Sequence, residues 1–245
     1  MEYNRVSYRY KGEPKAALSE FSLTVPAGKV VALLGPNGSG KSTALGIGAS
    51  WLKPVGGNFS ASGGRAFLPQ TERLAFSFSC LEYVVFGRAP HLSYLAVPTT
   101  RDSNLAAAAL QTVGMADKTH RRITALSGGE LQLVRIARAL VQEAPFMILD
   151  EPTDMLDPAH IVAIGQAIRS IAGAGGGVLL STHDIAFALS VADSVALLKD
   201  GLLMATGPVA ATLTNENLAA LYGVPFKVIA VPTPVFRVLQ KTGTL

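Results

Sequence analysis

A single cysteine, Cys80, in 245 residues leaves no partner for an internal disulfide, and a reducing compartment is the simpler expectation. The sequence holds no run of 18 or more uncharged apolar residues. No bilayer-spanning helix is therefore expected, and any role at a membrane has to run through a partner. Residues 1–11 are polar and aromatic and carry no apolar signal region. Charge is sparse, at 16% Asp, Glu, Lys and Arg with a formal net charge of +4. The basic residues are scattered, which argues against a nucleic-acid partner. Internal repeats, heptad seams and low-complexity tracts are missing as well. What is present is 49% hydrophobic, too apolar for disorder and enough for one large domain or a core with a smaller lobe.

The chain is organised around Gly35-Pro36-Asn37-Gly38-Ser39-Gly40-Lys41-Ser42-Thr43. An apolar run, Val30 to Leu34, precedes it and reads as a buried strand; Ala44 to Leu52 follows and reads as a helix. Strand, glycine-rich loop, Lys-Ser, helix is the setting in which G-x-x-x-x-G-K-[ST] becomes a phosphate site. The glycines let the backbone curl with its N–H groups turned inward. Those groups and the positive end of the next helix cradle anionic oxygens. Lys41 brings a full charge to the β- and γ-phosphates, and the Ser42 hydroxyl is placed to ligate Mg²⁺.

Upstream, Tyr3 to Tyr10 and Phe21 to Val25 alternate apolar and polar residues about a Lys11-Gly12-Glu13-Pro14 turn, predicting two antiparallel strands beside the pocket. Tyr8 and Tyr10 are candidates to stack on an adenine ring, or simply an aromatic pair. Downstream, Phe59 to Ser62 and Arg65 to Pro69 read as two short strands around Gly63-Gly64, the second delivering Gln70. From Thr71 to Pro145 the pattern turns helical. Ser79-Cys80-Leu81-Glu82 has capping-box spacing and opens a helix over Leu81 to Phe86. A second helix runs from Asp102 to Val113 with Asp and Ser caps.

Ser127 and Glu130 repeat the capping-box spacing. The helix they start carries Leu133, Ile136, Ala137, Leu140 and Val141 on one stripe, with Gln132, Arg135, Arg138 and Gln142 off it. Gly128 and Gly129 cost a first turn about 1 kcal/mol each relative to Ala. They make sense where a ligand approaches the exposed N–H groups closely, so this helix start is a second candidate anion site. Phe146 to Leu149 then reads as a buried parallel strand ending in Asp150 and Glu151, at the sheet edge where ligands bind in doubly wound folds. Asp150 is the expected Mg²⁺ partner and Glu151 a candidate to orient or deprotonate water. Val178 to Ser181 is a further buried strand with His183 beyond its end, at the same edge if the strands are parallel. A strand–turn–strand hairpin around Asp200-Gly201 follows. A short helix spans Asn217 to Tyr222, and the tail from Val224 to Leu245 reads as an edge strand or extended segment.

In this order the motifs resemble the nucleotide-binding subunit of ATP-binding cassette (ABC) transporters, over roughly residues 3 to 223. The resemblance implies an α/β P-loop NTPase core with a mostly parallel sheet, a small N-terminal antiparallel β-subdomain and an inserted helical subdomain. The core spans residues 1–70 and 146–223, the helical subdomain 71–145 and a C-terminal extension 224–245. It implies that Gly35 to Thr43 are the Walker A loop, and that Gln70 is the Q-loop glutamine that touches Mg²⁺ and senses a membrane partner. Ser127, Gly128, Gly129 and Glu130 belong to the signature, Asp150 to Walker B. Glu151 is the catalytic glutamate, Asp157 the D-loop aspartate and His183 the switch histidine; Tyr10, rather than Tyr8, aligns with the adenine-stacking aromatic.

The cofactors implied are ATP and Mg²⁺. The partners are a second copy bound head-to-tail, a pair of integral-membrane permease subunits, and indirectly a substrate-binding protein. The place is the cytoplasmic face of the cell membrane. Val84 to His91 and Tyr222-Gly223-Val224-Pro225 look like the importers of metal chelates: siderophores, haem, cobalamin. A non-transport ATPase of the iron–sulfur assembly type and a detached exporter cassette stay open beside that reading. Two departures stand out: Glu130 where Gln is commoner, and Asp154-Met155-Leu156-Asp157 where Ser-Ala-Leu-Asp is frequent.

Overall fold

A computed structural model describes residues 1–72, 76–93 and 95–226. β1 (Glu2–Tyr8) and β2 (Leu18–Thr24) pair antiparallel, as expected. The first strand stops before Tyr10, and the second starts three residues earlier than predicted. β3 is Val30–Leu34, with all five residues buried. α1 covers Lys41–Gly48 rather than 44–52: the loop delivers Lys41 straight into the first turn, and Ser50, at φ 61°, turns the chain away.

The two short strands about Gly63-Gly64 form, but they do not pair with each other. β4 (Gly56–Ser60) joins β1 in the three-stranded sheet β2-β1-β4, and β5 (Arg65–Leu68) crosses into the central sheet. Alternation alone could not separate them, because each is a half-buried strand in its own sheet. Between β5 and the next strand stand α2 (Cys80–Val85), α3 (Thr100–Thr112) and α4 (Gly128–Leu140). Capping boxes open all three. In α3 the cap is Thr99, three places before the Asp/Ser cap the composition suggested, and Asp102 is the reciprocating residue.

β6 (Phe146–Leu149), α5 (Pro158–Gly173), β7 (Gly177–Thr182), α6 (Ile185–Val191), β8 (Ser194–Lys199), β9 (Leu202–Pro208), α7 (Val209–Thr212) and α8 (Asn215–Tyr222) complete the described chain. α7 carries no sequence signal and was not expected. The tail expected as an edge strand lies outside the described residues beyond residue 226. The central sheet runs β5-β6-β7-β3-β8-β9, parallel except for the β8–β9 hairpin. Its strands are continuous apolar runs because both faces are covered. β3 shows the division: Val31 and Leu33 face the core that holds α1, β1 and β2, while Val30, Ala32 and Leu34 face the one holding α3 to α6.

The helical segment is tied together by a buried cation. Arg88 donates to Asp102 at 2.9 Å, to the Val141 carbonyl at 2.7 Å and to Glu143 at 2.5 Å. The Thr99 backbone N–H and hydroxyl, together with Arg88, hold the Asp102 carboxyl down at about 2. That value lies below the ordinary range, so the contribution to stability is whole above about pH 4 and is lost as pH falls through 2. Arg88→Met lets the Asp102 pKa rise toward normal. We expect circular dichroism to show an acid-unfolding midpoint at higher pH than wild type, and a lower urea midpoint at pH 7; an unchanged acid limb would refute the tie.

Candidate active site

A cleft of 710 Å³ opens at the carboxyl ends of β3, β6 and β7, the edge where open α/β sheets bind ligands. Tyr10, Gly35, Pro36, Asn37, Gly38, Gly40, Lys41, Ser42, Thr43, Gln70, Glu151 and His183 line it. Parallel register does the gathering: Leu149 pairs with Leu180 and Leu34 with Thr182. The residues following β6, β7 and β3 therefore emerge side by side.

The glycine-rich loop is folded as a cradle. Gly40 sits at φ 106°, and a Cβ there would lie 2.4 Å from the Ala17 carbonyl oxygen, so only glycine fits. Ser39 Oγ is buried and has no hydrogen-bond partner among the described residues. Lys41 is buried and folds back on its own loop, donating to the Gly35 carbonyl at 2.7 Å and the Pro36 carbonyl at 3.2 Å. Glu151 Oε1 lies 3.9 Å away. Burial pulls the Lys41 ammonium below its ordinary pKa, and the charges of Glu151 and Asp150 push the other way. A polyanion fits this donor set: a curled glycine-rich backbone and a buried cation hydrogen-bonded to neutral carbonyls.

At the other wall, Asp150 is buried and its Oδ1 accepts from Ser181 Oγ at 2.6 Å; the same oxygen of Ser181 accepts the Glu151 N–H at 2.9 Å. Glu151 takes a left-handed backbone, φ 47°, costly for a residue with a side chain and the kind of strain that gathers at active sites. That turn swings its carboxylate off the line of Asp150. Glu151 Oε2 lies 2.9 Å from His183 Nδ1 and also accepts the His183 backbone N–H at 3.3 Å. An ionised carboxylate can only accept, so Nδ1 carries the proton and Nε2 is left free. Ser181 was missed by sequence reasoning; its only signal was a hydroxyl ending an apolar run beside Asp150.

For a metal, the donors at hand are the Ser42 hydroxyl, the Asp150 carboxylate and Gln70, a hard-oxygen set. Among the described residues no group of three or more His, Cys, Asp or Glu side chains gathers as a metal site. Gln70 is turned instead to Asp154, donating from Nε2 to Oδ2 at 3.1 Å. Asp154, one of the D-loop departures, also lines the cleft. Tyr10 reaches the cleft from the turn after β1. Its hydroxyl lies 3.2 Å from Thr43 Oγ1 and its ring stands edge-on to Tyr8, centroids 5.0 Å apart. The aromatic pair and the exposed pocket-lining face are both present.

Ser127, Gly128, Gly129 and Glu130 do not line this cleft. They open α4 beside the D-loop, Ser127 and Gly128 exposed. Ser127 Oγ caps the Glu130 N–H, and Glu130 Oε2 accepts the Ser127 N–H. The Glu130 departure has a partner: Lys118 donates to Oε1 at 2.5 Å, and this bond with that of the Ser127 N–H holds the carboxyl down at about 2. Gly129 is buried, and a Cβ on it would fall 2.2 Å from the His160 ring. His160 Nδ1 in turn sits 2.6 Å from Asp157 Oδ2, while Asp157 caps α5. So the absent Gly129 side chain makes room for a histidine of the same chain, a reason the helix-start argument did not contain.

The off-stripe polar residues of α4 are not a solvated face. Gln132 and Arg135 are buried. Gln132 donates to the Pro152 carbonyl at 3.0 Å, and Arg135 to the Pro69 carbonyl at 2.6 Å. Arg138 forms a two-pronged bond with Glu72 at 2.7 and 2.9 Å. Burial alone would raise the Glu72 carboxyl, but hydrogen bonds from Arg138 and Tyr83 and the charges of Arg138 and Arg135 hold it low. The signature helix is thereby fastened to the segments that carry Gln70 and Glu151.

Comparison with known proteins agrees with this layout. The sequence profile of the ABC transporter family matches residues 18–154. The hemin import ATP-binding protein HmuV of Nocardia farcinica is 37% identical over 235 residues, covering 90% of this chain and 81% of that protein. A metal-chelate type ABC transporter solved in an inward-facing conformation superposes with a TM-score of 0.86 at 30% identity, covering 91% of this chain and 89% of the other. A dimeric ATP-binding cassette in a post-hydrolysis state, bound to ADP and Pi, gives 0.74 at 27% identity, covering 85% and 98%.

Gly129→Ala forces the His160 ring from its place. We expect it to cost about 1–3 kcal/mol in urea denaturation, as overpacking does, and His160→Ala added to it to recover most of that loss. A single variant as stable as wild type would show the packing to be slack.

Proposed function

The chain belongs to the ABC transporter family, and from that premise we propose that two copies bind head-to-tail and that ATP hydrolysis between them drives import of a metal chelate such as haem or an iron–siderophore. The subunit is an ATP-binding and ATP-hydrolysing cassette. The single observation that carries the mechanism is the division of labour in the geometry. Lys41 and Glu151 lie 3.9 Å apart in one cleft, while Ser127 and Gly128 present a capped helix start outside it. A second copy, turned head-to-tail, would bring its Ser127 to the nucleotide held by this chain's Lys41.

In that reading the cradle from Gly35 to Thr43 holds the phosphates and Tyr10 takes the adenine. Ser42, Asp150 and Gln70 would hold Mg²⁺, which would supply positive charge beside the transferring phosphoryl group. Glu151 takes a proton from the attacking water as its oxygen bonds to the γ-phosphorus and the bond to the β-phosphate oxygen breaks. His183, its Nδ1 donating to Glu151, fixes that carboxylate against the attacking water. Asp157 and His160 keep the D-loop against the signature.

The membrane partner has a face to dock on. Phe76, Phe78 and Phe86 form a chain of rings with centroids 5.9 and 4.7 Å apart, Phe76 and Phe86 exposed. Leu95 and Val97 add exposed apolar surface, and such clusters mark interaction sites. We read residues 74–91 as the segment that passes closure to this partner; residues 74 and 75 lie outside the described residues. Glu72, bound to α4, connects this face to the signature. Among the described residues no helix is long and apolar enough to cross a membrane. In this reading the subunit attaches through a permease pair on the cytoplasmic side. The named relatives favour this reading over the iron–sulfur assembly and detached-exporter alternatives.

Glu151→Gln is expected to bind ATP with unchanged affinity, to lose turnover by about a hundred- to ten-thousand-fold, and to accumulate as an ATP-bound dimer on light scattering. Lys41→Ala is expected to weaken ATP binding roughly ten- to hundredfold by calorimetry. Full hydrolysis by the first variant would remove Glu151 from its role.

A further inference from the structure

The C-terminal helix reaches the nucleotide cleft. α8 is capped by Thr214 at its start, and ends in Gly223 at φ 74°. Leu218 and Leu221 are buried, and Lys199 of β8 donates to the Ala220 carbonyl. These contacts fix the last helical residue, Tyr222, whose ring packs on Phe226 with centroids 5.6 Å apart. Tyr222 lines the same cleft as Glu151, His183 and Gln70. Its hydroxyl is sealed from solvent and has no hydrogen-bond partner among the described residues. A buried phenol ordinarily finds one. Burial and the negative charge of Glu151 both raise the Tyr222 pKa, so the group is neutral, a donor, and within the electrostatic reach of that carboxylate.

We propose that Tyr222 is a positioning residue of the hydrolytic site: with ATP in the cleft, its hydroxyl donates to the Glu151 carboxylate and holds it in line with the attacking water. The inference rests on the ATPase reading above and adds to it a residue from outside the segment the family profile matches. The geometry has a reason. His183 engages only Glu151 Oε2, and Oε1 faces Lys41 across 3.9 Å. When phosphate draws the Lys41 ammonium away, Oε1 loses that neighbour, and a neutral donor on the same wall replaces it without adding charge. A phenol serves this better than a lysine, which would compete for the phosphate.

Tyr222→Phe keeps the ring, the helix and the Phe226 contact and removes only the oxygen. ATPase assays are expected to show kcat lower by about tenfold with KM and the calorimetric Kd for ATP within about twofold of wild type. In the Glu151→Gln background, Tyr222→Phe should leave the residual rate unchanged, since the carboxylate it serves is gone, and ATP should still drive dimerisation. A Tyr222→Phe enzyme with wild-type kcat overturns the proposal, as does a loss that appears in Kd or in dimerisation instead. Should Glu151→Gln itself hydrolyse ATP normally, the functional reading falls and this inference with it. If Glu151→Gln is inert and Tyr222→Phe is fully active, only the role of Tyr222 falls.

Discussion

Two opposite charges buried across one cleft set the terms for the rest of the molecule. The Lys41 ammonium and the Glu151 carboxylate are each largely out of water and 3.9 Å from one another. A buried ion is costly unless something answers it. Without nucleotide they answer each other in part, and the lysine completes its bonding on the carbonyls of its own loop. A polyanion offers the lysine a better partner than a neutral carbonyl does, because charge-assisted bonds are the stronger ones. It also frees the carboxylate from its nearest cation. The parallel register of β6, β7 and β3 is what holds the two charges at that spacing.

The second constraint is that the chain owns two anion-seeking helix starts that do not face each other. α1 begins in the cleft and α4 begins outside it. What ties them is the polar side of α4, where Gln132, Arg135 and Arg138 bind the Pro152 carbonyl, the Pro69 carbonyl and Glu72. These are contiguous contacts from the signature to both walls of the cleft. Movement of α4 cannot leave the loops bearing Gln70 and Glu151 where they were, since breaking a buried arginine bond exposes its donors to an apolar wall. The aromatic face at Phe76, Phe78 and Phe86 sits on the same connection, through Glu72.

This explains what could be read from sequence and what could not. The glycine-rich loop, the buried strands Val30–Leu34 and Phe146–Leu149, and the caps at Ser79 and Ser127 are local: a few neighbouring residues fix the backbone, so their order in the chain suffices. The cleft's wall of Glu151 and His183 was legible once the strands were taken as parallel, because register then sets neighbours. The rest needed partners distant in sequence. β4 and β5 look alike and part into different sheets. Arg135 and Gln132 look like a solvated face and are buried, because the carbonyls that bind them lie 20 to 66 residues away. Gly129 read as room for a ligand and also makes room for His160. Tyr222 was legible only as part of the family-like segment Tyr222-Gly223-Val224-Pro225, with nothing in the sequence to bring its hydroxyl to the cleft.

The departures from the commoner motif gain a shared logic at the face a second copy must meet. Glu130 is neutralised by Lys118 within the helical segment, so the signature keeps its cap without presenting net negative charge to an incoming phosphate. Asp154 accepts from Gln70, which places a hydrogen-bonded carboxylate at the cleft. Met155, in left-handed backbone at φ 57°, is 96% exposed. An unbranched apolar side chain thrust into water from a strained position gains nothing in the isolated subunit. Under the head-to-tail arrangement proposed above, a flexible thioether at this position on the D-loop would be suited to fill an irregular gap in the shared face.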